Sequence, residues 1–262
     1  MTTTLAASIE GIGYWSRGLP SWEAARAFAL DGRHPADAPA RPSPQLLPPN
    51  ERRRAPETVA VALDVALAAC TAAGRDPAAL PSVFASMHGD MPITDYMCAT
   101  LTVDPRSVSP TRFHNSVHNA AAGYWTIGAG AMHAATAISA FDATFAQGLL
   151  EAMVQLAVGN EAVLLVGYDG YATGPLARVS CSEGVLGAAL VLSRPATAGL
   201  VQLRISLDDG EADDGDGALA RREHGNAMAP MLPLFDALAG GQPQARLKAG
   251  PGRILRVEIG HV

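Results

Sequence analysis

Residues 143–168 restrict the possible folds more than any other stretch of the sequence. Residues 143–158 carry apolar side chains at helical spacing, and Gly159-Asn160 is a typical helix stop. Residues 162–168 then form a continuous apolar run, which predicts a strand buried on both faces. A helix that leads into such a strand is typical of α/β layer folds, in which helices cover a central sheet.

The rest of the chain repeats this alternation of strands and helices. Further helices are predicted to begin at Ser21 and to span residues 56–73 and 94–101. Strands are predicted at residues 5–12, 83–86, 185–192, 201–207 and 254–259. Two segments lack periodicity: residues 32–54 are predicted to be an irregular loop rich in proline and arginine, and residues 208–217 a mobile acidic loop. We therefore expect a single domain over residues 1–262.

The composition argues against several classes of function. Hydrophobic residues make up 48% of the chain, enough for a sizeable core, and the formal net charge is −6. Arg52-Arg53-Arg54 is the one basic run, which argues against nucleic-acid binding. The start, Met1-Thr2-Thr3-Thr4, has no signal-peptide pattern, and no apolar run has the length of a membrane span. We therefore expect a cytoplasmic protein that binds neither nucleic acid nor membrane.

Reactive side chains form no familiar metal or cofactor motif. Cys70, Cys98 and Cys181 show neither metal spacing nor an even disulfide set, and we expect them to be reduced thiols in the core. His114 and His118 have the spacing of a helical metal pair, but the sequence nominates no third ligand. The nucleophile elbow, the P-loop and the dinucleotide-binding glycine pattern are missing as well. We predict no metal and no cofactor.

Several sequence segments occur in a recognisable order. Ser109-Pro110 precedes Asn119-Ala120-Ala121-Ala122-Gly123, then Ile138-Ser139-Ala140-Phe141-Asp142-Ala143-Thr144 follows, and Glu183-Gly184 leads into an apolar segment that ends at Leu192. This series resembles the S-P, N-x-x-A-G, I-S-T-A-C-A-T and E-G-A-G-x-L-V-L segments of β-ketoacyl synthases, over roughly residues 50–193. The resemblance implies a thiolase-like α/β fold, the N-terminal half of the ketosynthase fold, with a central mixed sheet and flanking helices.

Asp142 stands where the resemblance implies the acylated cysteine. A ketosynthase needs a thiolate at the start of a buried helix, and a carboxylate cannot form the stable thioester that condensation requires. We expect Asp142 to be a structural N-cap of the following helix, the alternative being a vestigial site that decarboxylates a malonyl group. Of the later histidines, His224 comes too soon after Asp142 for the family spacing and His261 is next to last. No catalytic residue is therefore assigned.

Short proteins of this kind resemble chain length factors of aryl polyene and related polyketide pathways. The resemblance implies a non-catalytic subunit that forms a heterodimer with a complete ketosynthase and meets acyl carrier protein through that complex. The implied dimer interface and acyl tunnel include Arg112, Phe113, His114, Asn115, Val117 and Phe141. Alternatives are a self-contained acyltransferase that uses Cys181, a malonyl decarboxylase that uses Asp142, and a homodimeric acyl-chain-binding protein.

Overall fold

An eight-stranded sheet forms the centre of the computed structural model, which describes residues 4–195 and 199–261. The strands are β1 (Leu5–Ser16), β2 (Ser82–Ala85), β3 (Ala135–Ile138), β4 (Ala162–Asp169), β5 (Leu186–Ser193), β6 (Val201–Asp209), β7 (Gln244–Gly250) and β8 (Arg253–His261). Their order in the sheet is β3-β2-β4-β5-β1-β6-β8-β7. Strand β2 is parallel to β3 and β4, and all other neighbours are antiparallel. The predicted central mixed sheet is confirmed.

Helices cover both faces of the sheet, as predicted. They are α1 (Trp22–Asp31), α2 (Pro49–Arg54), α3 (Glu57–Ala73), α4 (Met91–Val103), α5 (Pro110–His114), α6 (Ala120–Ala129), α7 (Thr144–Ala157), α8 (Ala218–Arg222) and α9 (Leu232–Gly240). Helices α3 and α6 pack on one face, and α1, α7, α8 and α9 pack on the other. Within the described ranges, no helix has both the length and the apolar character that crossing a membrane requires. The predictions for Met1-Thr2-Thr3 and for the His261 side chain lie outside the described residues.

Helix α3 lies close to β1 because two glycines of that strand face it. A Cβ atom on Gly13 would lie 2.0 Å from the carbonyl oxygen of Val65, and one on Gly11 would lie 2.2 Å from that of Ala69. Larger residues at these positions would push the helix away from the sheet. The first turn of α3 lies beside the loop after β2, where Thr58 Oγ1 donates to Asp90 Oδ2 at 2.7 Å.

Most predicted elements are present, with ends shifted by a few residues. The helix expected over residues 56–73 is α3, which ends at Gly74 with a φ of 63°. The helix expected over residues 143–158 is α7, and the strand expected over residues 162–168 is β4, which is buried along its whole length. Ser21 caps α1, since its side chain accepts a hydrogen bond from the backbone N–H of Ala24.

Two segments differ from the prediction. The irregular loop predicted over residues 32–54 ends in helix α2, because Pro49 fits the first turn of a helix. The acidic loop predicted over residues 208–217 begins later, because Asp208 and Asp209 belong to β6 and pair with arginines of β8. The sequence patterns also missed β3, β7, α5, α6, α8 and α9.

Candidate functional site

A tight turn joins β3 to α7. Phe141 has a φ of 50°, the one positive φ at a non-glycine residue within the described chain. Such backbone is unfavourable for an L residue and has to be held by its neighbours. Here Thr144 Oγ1 donates to the carbonyl oxygen of Phe141, and Ser139 Oγ donates to that of Met87 at 3.0 Å. The turn places Asp142 between the end of the strand and the start of the helix.

The Asp142 carboxylate forms an ion pair with Lys248 of β7. Lys248 Nζ lies 2.5 Å from Asp142 Oδ2, and each side chain is 48% exposed. Ala143 is the N-cap residue of α7 and no side chain caps this helix, so the predicted N-cap role of Asp142 is wrong. The physical reason is that Asp142 precedes the N-cap residue and its carboxylate turns to the cation of β7. Lys248 is the only lysine in the sequence.

A cavity of about 410 Å³ opens beside this ion pair. Lys248 and Arg246 of β7 line it together with His224. Arg246 Nε lies 2.8 Å from Asp213 Oδ1, so both cations of β7 already have a carboxylate partner. The exposed His224 donates from Nδ1 to a backbone carbonyl oxygen at 3.0 Å. The cavity therefore combines charged side chains with an apolar wall, and its β7 cations are neutralised by neighbouring carboxylates.

Asp169, at the end of β4, holds the loop that follows β2. Its carboxylate accepts hydrogen bonds from Ser86 Oγ at 2.7 Å, Met87 N at 2.8 Å and His88 N at 3.2 Å. Burial raises the pKa of Asp169 to about 7, although the three hydrogen bonds favour the ionised form. Since Met87 lines the cavity beside Asp142, Asp169 fixes one wall of the candidate site. Sequence reasoning missed this role; the available signal was an ionisable residue at the end of an apolar strand.

The two histidines at helical spacing have separate partners. His118 Nε2 donates to the carbonyl oxygen of Ser86 at 2.8 Å. The His114 ring packs edge-on against Tyr124, with the ring centroids 5.9 Å apart. Among residues 4–195 and 199–261, no group of three or more His, Cys, Asp or Glu side chains is placed to hold a metal ion. The two rings are thus turned to different neighbours.

Arg112 and Asn115 line a cavity of about 560 Å³, called here the Arg112 cavity. Arg112 is exposed, and its guanidinium lies over the Tyr96 ring, 3.9 Å from the centroid. Asn115 is buried; its Nδ2 donates to the Thr111 carbonyl oxygen at 3.0 Å, while Oδ1 has no hydrogen-bond partner in the described structure. The Arg112 charge is thus stacked and solvated, as a charge near an apolar cavity must be if it has no counter-ion.

Phe113, His114 and Val117 line a second cavity of about 620 Å³, called here the Phe113 cavity. Phe113 is 62% exposed and Val117 is 49% exposed. Phe141, which is 76% exposed, lies apart on the turn between β3 and α7. The structure therefore distributes five of the six predicted interface residues between two cavities and leaves Phe141 elsewhere.

The cysteines differ from the prediction of three core thiols. Cys70 is buried in α3, and burial raises its pKa to about 12. Cys98 and Cys181 are exposed, because they lie on α4 and on the loop before β5, outside the two helical layers that pack on the sheet. The Cys181 thiol donates to the carbonyl oxygen of Ala177 at 3.1 Å.

Solved structures share this fold. A chain of the complex of the ketosynthase (ApeO) with its chain length factor (ApeC) from Xenorhabdus doucetiae is similar over 97% of this chain and 99% of that chain, with a TM-score of 0.76 and 22% sequence identity. A chain of the ishigamide ketosynthase/chain length factor is similar over 98% and 99%, with a TM-score of 0.73 and 13% identity. A β-ketoacyl synthase from Burkholderia phymatum STM815 is similar over 91% and 71%, with a TM-score of 0.61 and 17% identity.

Sequence comparison identifies the family. A search of curated proteins finds no significant match. The family model described as "Beta-ketoacyl synthase, N-terminal domain" matches residues 22–251, which is most of the chain. The match includes the segments that carried the resemblance, from Ser109-Pro110 to Leu192, and the similar structures have the thiolase-like fold that those segments implied. The chain therefore belongs to the family of β-ketoacyl synthase N-terminal domains.

Proposed function

We propose that this chain is a ketosynthase-like subunit of the chain-length-factor type, which does not condense acyl units by itself. It pairs with a complete ketosynthase in polyketide or fatty-acid-like biosynthesis, with aryl polyene formation as the proposed pathway. The partner supplies the nucleophilic cysteine, the histidines and most contacts with acyl carrier protein. This subunit closes the far end of the acyl tunnel.

The Asp142–Lys248 ion pair is the observation that carries this proposal. The condensing reaction needs a thiolate that accepts the acyl group as a thioester. An acylated carboxylate would be a mixed anhydride, which water cleaves readily. The ion pair with the ammonium group of Lys248 engages one carboxylate oxygen and makes the group a poorer nucleophile still.

The free edge of β3 supports a partner subunit. Strand β3 is the first strand of the sheet order, and its outer edge pairs with no strand of the described chain. An open strand edge is a template for pairing with another chain. Large apolar side chains are exposed on the segments next to β3: Ile127 is 79% exposed, Met132 96% and Phe141 76%. Exposed apolar side chains beside an open edge are typical of a protein–protein interface.

The lengths of the similar chains also support the proposal. The chains matched in the two structures named for a ketosynthase and a chain length factor are covered over 99% of their length, so they are about as long as this chain. The β-ketoacyl synthase from Burkholderia phymatum is covered over 71%. Short chains of this fold therefore occur in assemblies of that kind.

The test is reconstitution with a complete ketosynthase and an acyl carrier protein from the same genome. The isolated chain should form no elongated product from acyl and malonyl carrier proteins above a control without enzyme. It should co-purify with the ketosynthase, and product should form when both subunits are present. Robust elongation by this chain alone would contradict the proposal.

Three further measurements separate the alternatives. Acyl groups found on Cys181 by mass spectrometry, and lost in Cys181→Ser, would indicate an acyltransferase. Release of CO₂ from malonyl carrier protein that is lost in Asp142→Ala would indicate a decarboxylase. A stable homodimer that does not exchange with the ketosynthase subunit would indicate an acyl-chain-binding protein.

A further inference from the structure

A serine and a histidine meet beyond the carboxyl ends of two neighbouring strands. Ser180 Oγ and His88 Nε2 are hydrogen-bonded at a distance of 2.5 Å. His88 lies in the loop after β2, and Ser180 lies in the loop that joins β4 to β5. Strands β2 and β4 are paired in parallel, so the two loops begin at the same end of the sheet. In α/β folds this end of the strands is where binding and catalytic sites form.

Both loops are held in place by hydrogen bonds close to the strand ends. The backbone N–H of His88 donates to Asp169 Oδ1 at 3.2 Å, which ties the loop after β2 to the end of β4. In the loop that carries Ser180, Ala172 N donates to the Ser182 carbonyl oxygen at 2.8 Å. The contact between the serine and the histidine therefore joins two anchored segments, as the contact of a nucleophile with its base requires.

His88 can serve as the base for Ser180. In the tautomer that carries its proton on Nδ1, the ring accepts at Nε2 from the Ser180 hydroxyl, which is the arrangement that activates a serine nucleophile. Burial lowers the pKa of His88, so the ring is neutral at pH 7 and can take up a proton. His88 Nδ1 is buried and has no hydrogen-bond partner among the described residues. The pair is therefore a dyad without the carboxylate that completes a triad.

The surroundings of Ser180 suit a short acyl group. Both members of the dyad are partly accessible to solvent. The backbone N–H of Ser180 donates to the Leu176 carbonyl oxygen at 2.9 Å, which places Leu176 one turn before the serine. Leu176 is 46% exposed and Val179 is 82% exposed, so apolar surface is open beside Ser180.

The residue after Ser180 supplies a backbone donor. The N–H of Cys181 has no acceptor within the described chain, so it can donate to an oxyanion on the group that the serine attacks. The Cys181 thiol itself donates to the Ala177 carbonyl oxygen, whereas Ser180 has a histidine as its partner. Of the two adjacent nucleophiles, the serine is thus the one with a base.

We infer that Ser180 and His88 form a nucleophilic dyad that hydrolyses activated esters or thioesters of short apolar acyl groups. Ser180 Oγ bonds to the acyl carbon while its proton passes to His88 Nε2, and the alcohol or thiol leaves with that proton. Water then attacks the acyl-serine and gives a proton to His88, which returns a proton to Ser180 as the carboxylic acid leaves. The inference goes beyond the proposed function, since it uses neither Asp142 nor a partner subunit.

The first test is labelling of the isolated full-length chain with a fluorophosphonate, which phosphonylates activated serines and releases fluoride. Peptide mapping by mass spectrometry should find the label on Ser180. Ser107, which is exposed and donates to the Asp104 carbonyl oxygen at 2.8 Å, is the internal control and should react at least about tenfold more slowly. His88→Gln should slow labelling of Ser180 at least about tenfold. His34→Gln, at an exposed histidine that packs on a ring of α1, should leave the rate unchanged.

The second test is the hydrolysis of p-nitrophenyl acetate, followed by the release of p-nitrophenol. Ser180→Ala should lower the rate above buffer at least about tenfold, with an unchanged circular dichroism spectrum. The inference is overturned if Ser180 of the wild type reacts with the fluorophosphonate no faster than Ser107, a result that depends on no variant. An acetyl group found on Cys181 and not on Ser180 would overturn it as well. Co-purification with the ketosynthase is scored separately and tests the proposed function alone.

Discussion

At the scale of single residues, position 142 lies between two sources of positive potential. Lys248 Nζ is 2.5 Å from the Asp142 carboxylate, and helix α7 begins at Thr144, close behind. A cation and a helix N-terminus both favour an anion. The site therefore has an electrostatic environment that would activate a thiol, whereas an acyl group on the carboxylate that occupies it would be a readily hydrolysed mixed anhydride.

This environment predicts the reactivity of Asp142→Cys. The new thiol should have a lowered pKa, and it should react with iodoacetamide at pH 7 about 3–10-fold faster than the thiol of Asp142→Cys combined with Lys248→Met. Cys98 and Cys181 are replaced by serine in both proteins because they are exposed, whereas Cys70 is buried and stays. Equal alkylation rates would show that Lys248 does not act on this position.

Asp169 predicts a pH dependence of stability. Its pKa is raised from 3.8 to about 7 in the folded protein. Between these values the folded state binds more protons at this group than the unfolded state does, so the group makes the free energy of unfolding fall as the pH rises. Asp169→Asn removes the contribution of this carboxyl group to the pH dependence of the free energy of unfolding. The amide oxygen of the new side chain can still accept from the backbone N–H groups of the loop.

The measurement for Asp169 is urea denaturation of the wild type and Asp169→Asn at pH 5, 6, 7, 8 and 9. The free energy of unfolding should fall more steeply between pH 5 and 7 in the wild type than in the variant. The difference between the two proteins should then level off above about pH 8, where the carboxyl group is ionised in both states. Parallel curves over the whole range would show that the Asp169 pKa is not raised.

At the scale of elements, the predictions succeeded where an element's ends carry local signals. Helix α3 follows Pro56 and ends at Gly74, and both residues act locally. Strand β3 has four residues, and β7 mixes cations with small side chains, so their local patterns do not differ from those of a loop. These two strands are defined by their pairing with β2 and β8, which is a property of the folded sheet.

Only part of the candidate site was predicted, because local sequence signals cover one of its two charged residues and not the other. The place of Asp142 follows from a contiguous segment, residues 138–144. Its partner Lys248 lies far along the chain on a strand that the sequence patterns missed. Strand β7 reaches the site because it packs against α7, where Gln147 Nε2 donates to the Ala249 carbonyl oxygen at 2.8 Å. No local pattern encodes such a contact.

The packing of α3 on β1 predicts that alanine substitution at two glycines, Gly13 and Gly123, changes the free energy of unfolding differently. In Gly13→Ala the new Cβ atom meets the Val65 carbonyl oxygen at 2.0 Å, so backbone must move, and we expect a loss of about 1–3 kcal/mol or more in the free energy of unfolding. Gly123 in α6 is the control, since nothing lies within 4 Å of its Cβ position. Gly123→Ala should be neutral or stabilise by up to about 1 kcal/mol. Similar values for both variants in urea denaturation would contradict the close packing.

At the scale of the whole molecule, the two edges of the sheet differ in whether other residues cover them. The outer edge of β7 is occupied at Arg246: its carbonyl oxygen accepts from Asp213 N at 3.0 Å, and its N–H donates to Asp213 Oδ2 at 2.7 Å. The acidic loop thus protects this edge against pairing with another chain. The edge at β3 has no such cover in the described residues, and apolar side chains are exposed beside it. This asymmetry favours β3 as the side that meets a partner.

Of Arg112 and Phe113, we expect Phe113 to be the side chain that limits product length in the proposed complex. Arg112 is held against Tyr96 in the Arg112 cavity, whereas Phe113 is 62% exposed and lines the apolar cavity near the proposed interface. A growing apolar chain stops when its tip meets a side chain that it cannot displace, since overpacking costs about 1–3 kcal/mol. Phe113→Ala should therefore let the reconstituted complex make longer chains at a similar rate.

The products of the reconstituted complex are weighed by mass spectrometry for Phe113→Ala, Arg112→Ala and a control, Val179→Ala. Val179 is 82% exposed on a loop that lines neither cavity. The mean product length should rise in Phe113→Ala and stay the same in the control. A rise in Arg112→Ala instead would assign the limit to the guanidinium and its stack on Tyr96. If all three variants form the complex and make products of unchanged length, residues 112–113 do not meet the tip of the chain, because removing either side chain would otherwise leave room for further units.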